Sequence, residues 1–212
     1  MQIIAMVTML LDHIGLIWFP QDDTWRIIGR LAMPLYAYAL VIGYFRTKNI
    51  NQYLWRMTAI AALSQIPYSL AFGTWEINTV GTLLVCLVSL KLLDQLKSRP
   101  ALQVSLAAFL LLLLEVVPCS YGAYLLVLVL IYRYVPKQGM APAHLLLNIF
   151  YLFYMGWTIQ LFSVVATLLL VYSPSMLQAA DSIKVPRSLW RSFYPLHLAI
   201  IAALQYVILA GK

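Results

Sequence analysis

The sequence predicts an all-α fold: a polytopic bundle of about nine transmembrane helices forming one domain over residues 1–212, with a cytoplasmic N-terminus. The first observation behind this prediction is composition. Of the 212 residues, 63% are apolar and 10% are charged, and the mean hydropathy is +0.86. Soluble domains average about 45–50% apolar and about 25% charged residues. Because so few polar side chains cannot cover a surface in water, we expect lipid to solvate the chain.

The second observation is a series of apolar runs near the length that crosses a bilayer, which is about 17–25 residues for a helix. Nine runs follow one another along the chain. They cover residues 3–20, 28–45, 54–72, 77–93, 101–117, 120–135, 142–156, 158–173 and 190–210. Only Met155-Gly156-Trp157 divides the seventh run from the eighth, and no soluble domain fits into the remaining connections.

The third observation is the distribution of basic residues, which sets the orientation in the membrane. Most of the 14 Lys and Arg residues flank the connections after the second, fourth, sixth and eighth runs: Arg46, Lys48, Arg56, Lys91, Lys97, Arg99, Arg133, Lys137, Lys184, Arg187 and Arg191. Arg26, Arg30 and Lys212 lie on the other side. The positive-inside rule therefore places the N-terminus and the even-numbered connections in the cytoplasm. Since these residues are dispersed over four connections, we expect no nucleic-acid partner.

Four ionisable residues lie in the outer part of the first two runs or just before the second. An ionisable group at mid-bilayer costs at least about 2.5–3.5 kcal/mol, so it needs a partner or a function. Arg26 and Arg30 are four residues apart and share one helix face. Asp12 and His13 are about 100° apart around a helix, so they border one cavity without stacking. Arg30 is the expected ionic partner of Asp12.

Further polar side chains reach the outer leaflet from other runs: Gln65, Asn78, Thr82, Glu115, Ser120 and Tyr121. Such a gathering is typical of a cavity near the outer face. Polar residues also lie at an ordinary aqueous boundary, and this second interpretation is favoured for Glu115.

Three further sites contain polar or charged residues near helix ends or near a proline. For the first of them, a functional and a structural interpretation are both open. Pro195 interrupts backbone bonding near His197, which often accompanies a binding site in a membrane helix, although a packing role for His197 stays open. We expect His144 at the membrane interface. Lys91 and Asp94 are three residues apart and predict a partly paired helix end.

Several reaction classes are excluded because their motifs are missing from the sequence. The chain has no Walker A loop, no Gly-x-Ser-x-Gly turn and no His-Glu-x-x-His helix. Its three histidines are scattered, so we expect no metal site.

A neutral histidine can remove a proton from an attacking amine or hydroxyl, and an arginine can stabilise an anionic donor or an oxyanion. The basic connections either hold phosphates or only set topology and bind anionic lipid.

Ordered motifs extend along most of the chain. They are Met9-Leu10-Leu11-Asp12-His13-Ile14-Gly15, Arg26-Ile27-Ile28-Gly29-Arg30-Leu31-Ala32-Met33-Pro34-Leu35-Tyr36-Ala37-Tyr38, Gly43-Tyr44-Phe45-Arg46-Thr47-Lys48-Asn49, Tyr53-Leu54-Trp55-Arg56, Ser64-Gln65-Ile66-Pro67-Tyr68, Asn78 with Thr82, Tyr121-Gly122 and Phe193-Tyr194-Pro195-Leu196-His197-Leu198. In this order they resemble the TraX family of membrane proteins. One position departs from the family pattern: Ser120 stands where the family usually has aspartate, so that role is vacant or passes to Glu115.

This resemblance implies acetyl transfer in a bacterial inner membrane. TraX-type proteins are associated with N-terminal acetylation of pilin subunits from acetyl-CoA. The family is also similar to the wider group of membrane acyltransferases, which use a histidine on the first helix and an arginine on the second. By position these residues correspond to His13 and Arg30.

Two hypotheses follow. The first is a membrane acetyltransferase that passes acetyl from cytoplasmic acetyl-CoA to an amine or hydroxyl of a pilin-like protein or other small acceptor at the outer face. His13 would be the general base, Arg30 would stabilise charge and Asp12 would orient the site.

Donor-binding roles are expected for Arg46, Lys48, Arg56, Tyr194 and His197, with Arg133, Arg187 and Arg191 as further phosphate contacts. Acceptor-binding roles are expected for Arg26, Gln65, Asn78, Glu115 and Tyr121. The alternative is a non-enzymatic membrane scaffold or small permease whose Asp-His-Arg cluster binds a ligand or a proton.

Overall fold

The computed structural model describes residues 1–173, 175 and 185–210, and this part of the chain is helical with no β-strand. The helices are α1 (Gln2–Trp18), α2 (Asp23–Gly29), α3 (Ala32–Arg46), α4 (Ile50–Phe72), α5 (Thr79–Gln95), α6 (Pro100–Val116), α7 (Gly122–Tyr134), α8 (Lys137–Met155), α9 (Val164–Tyr172) and α10 (Arg187–Ala210), with a 3₁₀ turn at Ile159–Ser163. The all-α prediction is confirmed, and a helix covers most of each predicted apolar run. Lys184 and Lys212, which the topology argument used, lie outside the described residues.

The second predicted run is not one continuous helix. It is divided into α2 and α3 at Arg30 and Leu31, where the Leu31 amide bonds to the Ile28 carbonyl in a tighter turn. Pro34 supplies the physical reason, because it has no amide hydrogen to donate to the Arg30 carbonyl and its ring excludes that carbonyl sterically. Pro34 is tolerated in the first turn of α3 for the same reason.

Helix ends occur where the sequence contains capping residues. Gly73 ends α4 and Gly156 ends α8, both in the left-handed conformation with φ of +63° and +71°. Glycine adopts this conformation without the steric cost of a Cβ atom. The side chains of Asn49 and Asn78 accept from backbone amides at the starts of α4 and α5. These caps satisfy helix-end amides that otherwise have no intrahelical partner.

The described chain divides into two compact units. The first contains Met1–Ala39 and Ile131–Phe193, and within it α1 packs on α2 while α8 packs on α9 and on the 3₁₀ turn. The second contains Leu40–Leu130 and the chain from Tyr194 onward, and within it α5 packs on both α4 and α6. The single-domain expectation stays a prediction.

Several helices carry exposed stripes of large apolar side chains. The residues recur every three or four positions, which places them on one face of each helix. The stripes contain Leu63, Ile66 and Leu70 in α4, Phe109, Leu112 and Val116 in α6, and Leu146, Phe150 and Phe153 in α8.

One stretch of the described chain, Asp23–Arg46, is long and apolar enough to cross a membrane by length and composition. Four shorter apolar stretches accompany it: Gln2–Trp18, Pro100–Val116, Gly122–Tyr134 and Ile159–Tyr172. The nine-span architecture and the cytoplasmic N-terminus therefore stay predictions.

Candidate active site

Close packing of α1 on α2 builds the candidate site, and two glycines allow it. A Cβ atom at Gly15 would overlap the side chain of Trp25, and one at Gly29 would lie 2.6 Å from Cγ of Asp12. Small residues let helix backbones approach each other in this way. Gly29 therefore brings the start of the second predicted run against the carboxylate of Asp12.

Asp12 is bound by two guanidinium groups. Nη2 of Arg30 lies 2.7 and 2.9 Å from the two carboxylate oxygens, and Nε of Arg26 lies 3.2 Å from one of them. The predicted Asp12–Arg30 pair is confirmed, as is the prediction that Arg26 and Arg30 face the same volume. Asp12 is 8% exposed, so this ion pair lies in a poorly solvated environment where charge interactions are strong. The three groups together carry a formal charge of +1.

His13 is the neighbour of Asp12 on α1, and it is also buried, with 9% of its surface exposed. Both residues lie in the same half of a helix that is otherwise almost entirely apolar. The sequence prediction that Asp12, His13, Arg26 and Arg30 lie close together rested on charge and helix geometry. The structure brings the acid and both arginines into direct contact, with His13 one position further along α1.

A chain of buried hydrogen bonds leads away from Arg30. Nη1 of Arg30 donates to Oε1 of Gln160 at 3.2 Å. The backbone carbonyl of Gln160 accepts from Nδ2 of Asn148 at 3.0 Å, and the same amide nitrogen donates to Oγ of Ser163 at 2.9 Å. The 3₁₀ turn between α8 and α9 is thus connected to both Arg30 and α8.

His144 continues this chain and is fully buried within the protein. Its position at the membrane interface stays a prediction. Its Nε2 lies 3.1 Å from Oγ of Ser163, and its Nδ1 lies 2.6 Å from Oγ1 of Thr167. Thr167 in turn bonds to the hydroxyl of Tyr132 at 2.5 Å. Because α8 begins at Lys137, His144 lies about two turns inside the helix. A signal was present in the sequence: His144 and Asn148 are four apart and share a helix face.

Gln65 and Asn78, both predicted to bind the acceptor, bond to each other in the second unit. Nδ2 of Asn78 donates to Oε1 of Gln65 at 2.8 Å and to the carbonyl of Ala61 at 2.7 Å. Nε2 of Gln65 donates to the carbonyl of Glu76 at 2.8 Å. With Asn78 also capping α5, this cluster fixes the connection between α4 and α5.

Glu115 and Tyr121 lie around the short connection between α6 and α7, also in the second unit. Glu115 is exposed near the end of α6. Tyr121 has a φ of +67°, a left-handed conformation that is uncommon for a residue other than glycine. Gly122 follows with a φ of +48°. The hydroxyl of Ser120 lies 3.0 Å from the hydroxyl of Thr79.

The donor-binding candidates fall into a buried set and an exposed set. Tyr194 and His197 are both buried in α10, with ring centroids 5.6 Å apart. Arg46 and Lys48 are exposed where α3 ends, and the guanidinium of Arg56 lies 5.8 Å from the Tyr53 ring centroid.

The predicted pairing of Lys91 with Asp94 is replaced by two other contacts. Nζ of Lys91 donates to Oδ1 of Asn51 at 3.1 Å, and Asp94 accepts from the hydroxyl of Tyr44 at 2.8 Å. Polar groups on α3 and α4 thus take the place of the neighbour on the same helix.

Among the described residues, no three His, Cys, Asp or Glu side chains gather into a group that could hold a metal ion.

Comparison with known proteins identifies the family. The family model described as "TraX protein" matches residues 1–205. The chain belongs to the TraX family. The resemblance inferred from the ordered motifs is confirmed, and the match includes the Asp12–Arg26–Arg30 cluster and the hydrogen-bond chain up to His144. A curated relative, the "Probable fimbrial assembly protein FimC, serogroup H1" of Dichelobacter nodosus, is 26% identical over 243 aligned positions. That alignment covers 96% of this chain and 93% of the relative. No solved structure matches the chain.

Proposed function

We propose that this TraX-family chain is a membrane-embedded acetyltransferase of the bacterial inner membrane. It transfers acetyl from cytoplasmic acetyl-CoA to an amine or hydroxyl at the outer face, with the N-terminus of a pilin as the leading acceptor. The observation that carries the proposal is the buried Asp12 carboxylate, held by Arg26 and Arg30 and adjacent to His13. Ionisable residues within apolar helices are expensive and are therefore functional candidates.

Helix length and exposed surface support a polytopic membrane protein. The helices α1, α5 and α6 have 17 residues each, α8 has 19, α4 has 23 and α10 has 24. These lengths fall within the range of about 17–25 residues that spans a bilayer. The exposed apolar stripes of α4, α6 and α8 would face lipid, since such stripes are unfavourable in water. In this topology the connections rich in Lys and Arg face the cytoplasm.

The proposed chemistry uses His13 as general base. A ring nitrogen of His13 removes a proton from the acceptor as the acceptor's lone pair attacks the thioester carbonyl carbon. The carbon–sulfur bond then breaks, and the leaving thiolate takes the proton back from His13, so protons and charge balance. Arg26 and Arg30 would stabilise negative charge on the carbonyl oxygen, because their cluster with Asp12 carries a formal charge of +1.

Substrate contacts extend this proposal. The donor's phosphates would bind Arg46, Lys48 and Arg56, which are exposed or half-exposed cations, and Tyr194 and His197 would be further donor contacts. Arginine and lysine both suit phosphate recognition. Arg26, Glu115 and Tyr121 would contact the acceptor, while Gln65 and Asn78 would act by holding the start of α5. The Dichelobacter nodosus relative is named a probable fimbrial assembly protein, which supports a pilin-like acceptor.

The test uses the purified full chain in phospholipid nanodiscs with radiolabelled acetyl-CoA and a synthetic peptide that has a free N-terminal amine. We expect labelled peptide and free CoA to form together, and His13→Ala to abolish both. Thr8→Val is the matched control, because Thr8 is buried on the same helix and its hydroxyl lies 2.7 Å from the carbonyl of Ile4. It should keep the activity. Full activity in His13→Ala would contradict the assignment of His13. A folded wild type with no acetyl-CoA turnover would favour the scaffold or permease.

A further inference from the structure

The 3₁₀ turn Ile159–Ser163 connects Arg30 to the interior of the first unit. Arg30 is held on one side by Asp12 and on the other by the side-chain oxygen of Gln160. Gln160 is 2% exposed, and its own backbone carbonyl is held by Asn148. The direction of the Arg30 guanidinium therefore depends on where this turn lies.

The position of this 3₁₀ turn depends on His144. Ser163 ends the turn, and its hydroxyl contacts both Nδ2 of Asn148 and Nε2 of His144. Ser163, Asn148 and His144 are all fully buried, so a lost partner cannot be replaced by bulk water. The other ring nitrogen of His144, Nδ1, lies 2.6 Å from Oγ1 of Thr167.

We propose that His144 is a positioning residue, which holds the 3₁₀ turn through Ser163 and thereby sets the direction of the Arg30 guanidinium. Nε2 carries this role, and the contact of Nδ1 with Thr167 only fixes the plane of the ring. The effect on Arg30 stands on the hydrogen bonds alone, whereas its effect on acetyl transfer rests on the proposed function. His144 itself does not touch the reacting groups.

The two ring nitrogens can be tested separately. A glutamine amide reaches about the position of Nε2, and an asparagine amide reaches about that of Nδ1; either can donate or accept. His144→Gln therefore keeps the contact with Ser163, and His144→Asn keeps only the contact with Thr167. A second pair removes the partners themselves: Ser163→Ala removes the Nε2 partner together with the contact to Asn148, and Thr167→Val removes the Nδ1 partner together with the contact to Tyr132.

The readout is the side-chain ¹⁵N spectrum of arginine-labelled protein in nanodiscs, with the Arg30 signals identified by their loss in Arg30→Lys. We expect His144→Asn and Ser163→Ala to shift the Arg30 signals, and His144→Gln and Thr167→Val to leave them unchanged. Unchanged signals in all four variants would overturn the proposal. Equal shifts in His144→Gln and His144→Asn would overturn it too, because the effect would then not pass through Nε2. If a His144 variant does not fold, unchanged Arg30 signals in Ser163→Ala overturn the proposal, and so do shifts in Thr167→Val that equal those in Ser163→Ala.

Acetyl transfer gives the second readout. Misdirecting a catalytic group by about 1 Å can cost on the order of 100-fold in rate. We therefore expect kcat to fall tenfold or more in His144→Asn with KM unchanged, and to be largely kept in His144→Gln. Equal kcat losses in both variants would overturn the positioning role. A wild type without acetyl transfer would contradict the proposed function, while the Arg30 spectrum would still decide the role of His144.

Discussion

Gly29 packs directly against Asp12: a Cβ atom at Gly29 would lie 2.6 Å from the carboxylate carbon of Asp12. The glycine precedes Arg30, so the same close approach that admits the carboxylate also brings Arg30 within 2.7 Å of it. The ion pair therefore depends on a residue that has no side chain.

Gly29→Ala should separate α1 from α2 and lengthen the Asp12–Arg30 contact. Overpacking of this kind costs about 1–3 kcal/mol of unfolding free energy, and we expect acetyl transfer to fall with it. Thermal unfolding and turnover in nanodiscs would measure the two effects. Gly139→Ala is the control, because the added Cβ would meet only Cγ1 of Val135, at 2.9 Å, and that side chain can move. If Gly29→Ala leaves both thermal unfolding and turnover unchanged, α1 and α2 are not closely packed at this position.

Asp12→Asn should destabilise the protein strongly, because it leaves two guanidinium groups without their carboxylate. Breaking a buried pair in this way costs about 3–5 kcal/mol. Arg26→Gln should cost less than Arg30→Gln, since the side chain of Arg26 is 24% exposed and that of Arg30 only 11%. Denaturant unfolding of the three variants would give the order. The reverse order for the two arginines would mean that Arg26 is the principal partner.

Asn78→Ala distinguishes a structural role from acceptor binding. The substitution removes the cap of α5 and leaves the buried contacts with Gln65 and Ala61 unmade, for a cost of about 2–4 kcal/mol. Asn49→Ala removes an exposed cap of α4 and should cost about 1 kcal/mol. Unfolding measurements compare the two. If Asn78→Ala changes only the KM for the acceptor, the cluster of Asn78 with Gln65 is not what stabilises this connection.

Asp22 should make the start of α2 sensitive to acid. The Thr24 hydroxyl and backbone amide bond to the Asp22 carboxylate and hold its pKa below the usual range. Because the folded-state pKa is lowered, this stabilisation is present above the unfolded-state pKa and is lost as the pH falls through the lowered value. We expect the melting temperature of the wild type, relative to that of Asp22→Asn, to decrease as the pH falls below the usual range of aspartate pKa values. A constant difference across the pH series would contradict this role.

Tyr121→Gly should stabilise the connection between α6 and α7 while lowering activity. The left-handed conformation of Tyr121 costs roughly 1–2 kcal/mol, which glycine avoids, although part of the gain is offset by its greater freedom in the unfolded chain. If the tyrosine ring contacts the acceptor, the KM for the peptide should rise at the same time. Peptide-dependent kinetics and thermal unfolding would be measured on the same preparation. A more stable variant with unchanged kinetics would remove Tyr121 from the acceptor site.

Much of the helix pattern and the Asp12–Arg30 pair could be predicted from the sequence. Long apolar runs can satisfy their backbone groups only as helices in lipid, and residues such as Gly73 and Gly156 mark where those helices end. A carboxylate among apolar residues has to find a cation, and Arg30 was the expected partner of Asp12. The break at Arg30 was also encoded, by Pro34, although the prediction treated residues 28–45 as one continuous run.

The sequence by itself determined that the chain is helical, where most of its helices lie and that Asp12 has to pair with an arginine, because these follow from local composition and from the cost of isolated charge. Only the tertiary structure decided that His144, Ser163 and Gln160 are connected to Arg30. Hydrogen bonds act over about 3 Å and depend on how each helix is rotated. A neutral polar residue in an apolar helix carries no charge from which its partner can be predicted. Helix packing alone therefore determines which group it bonds to.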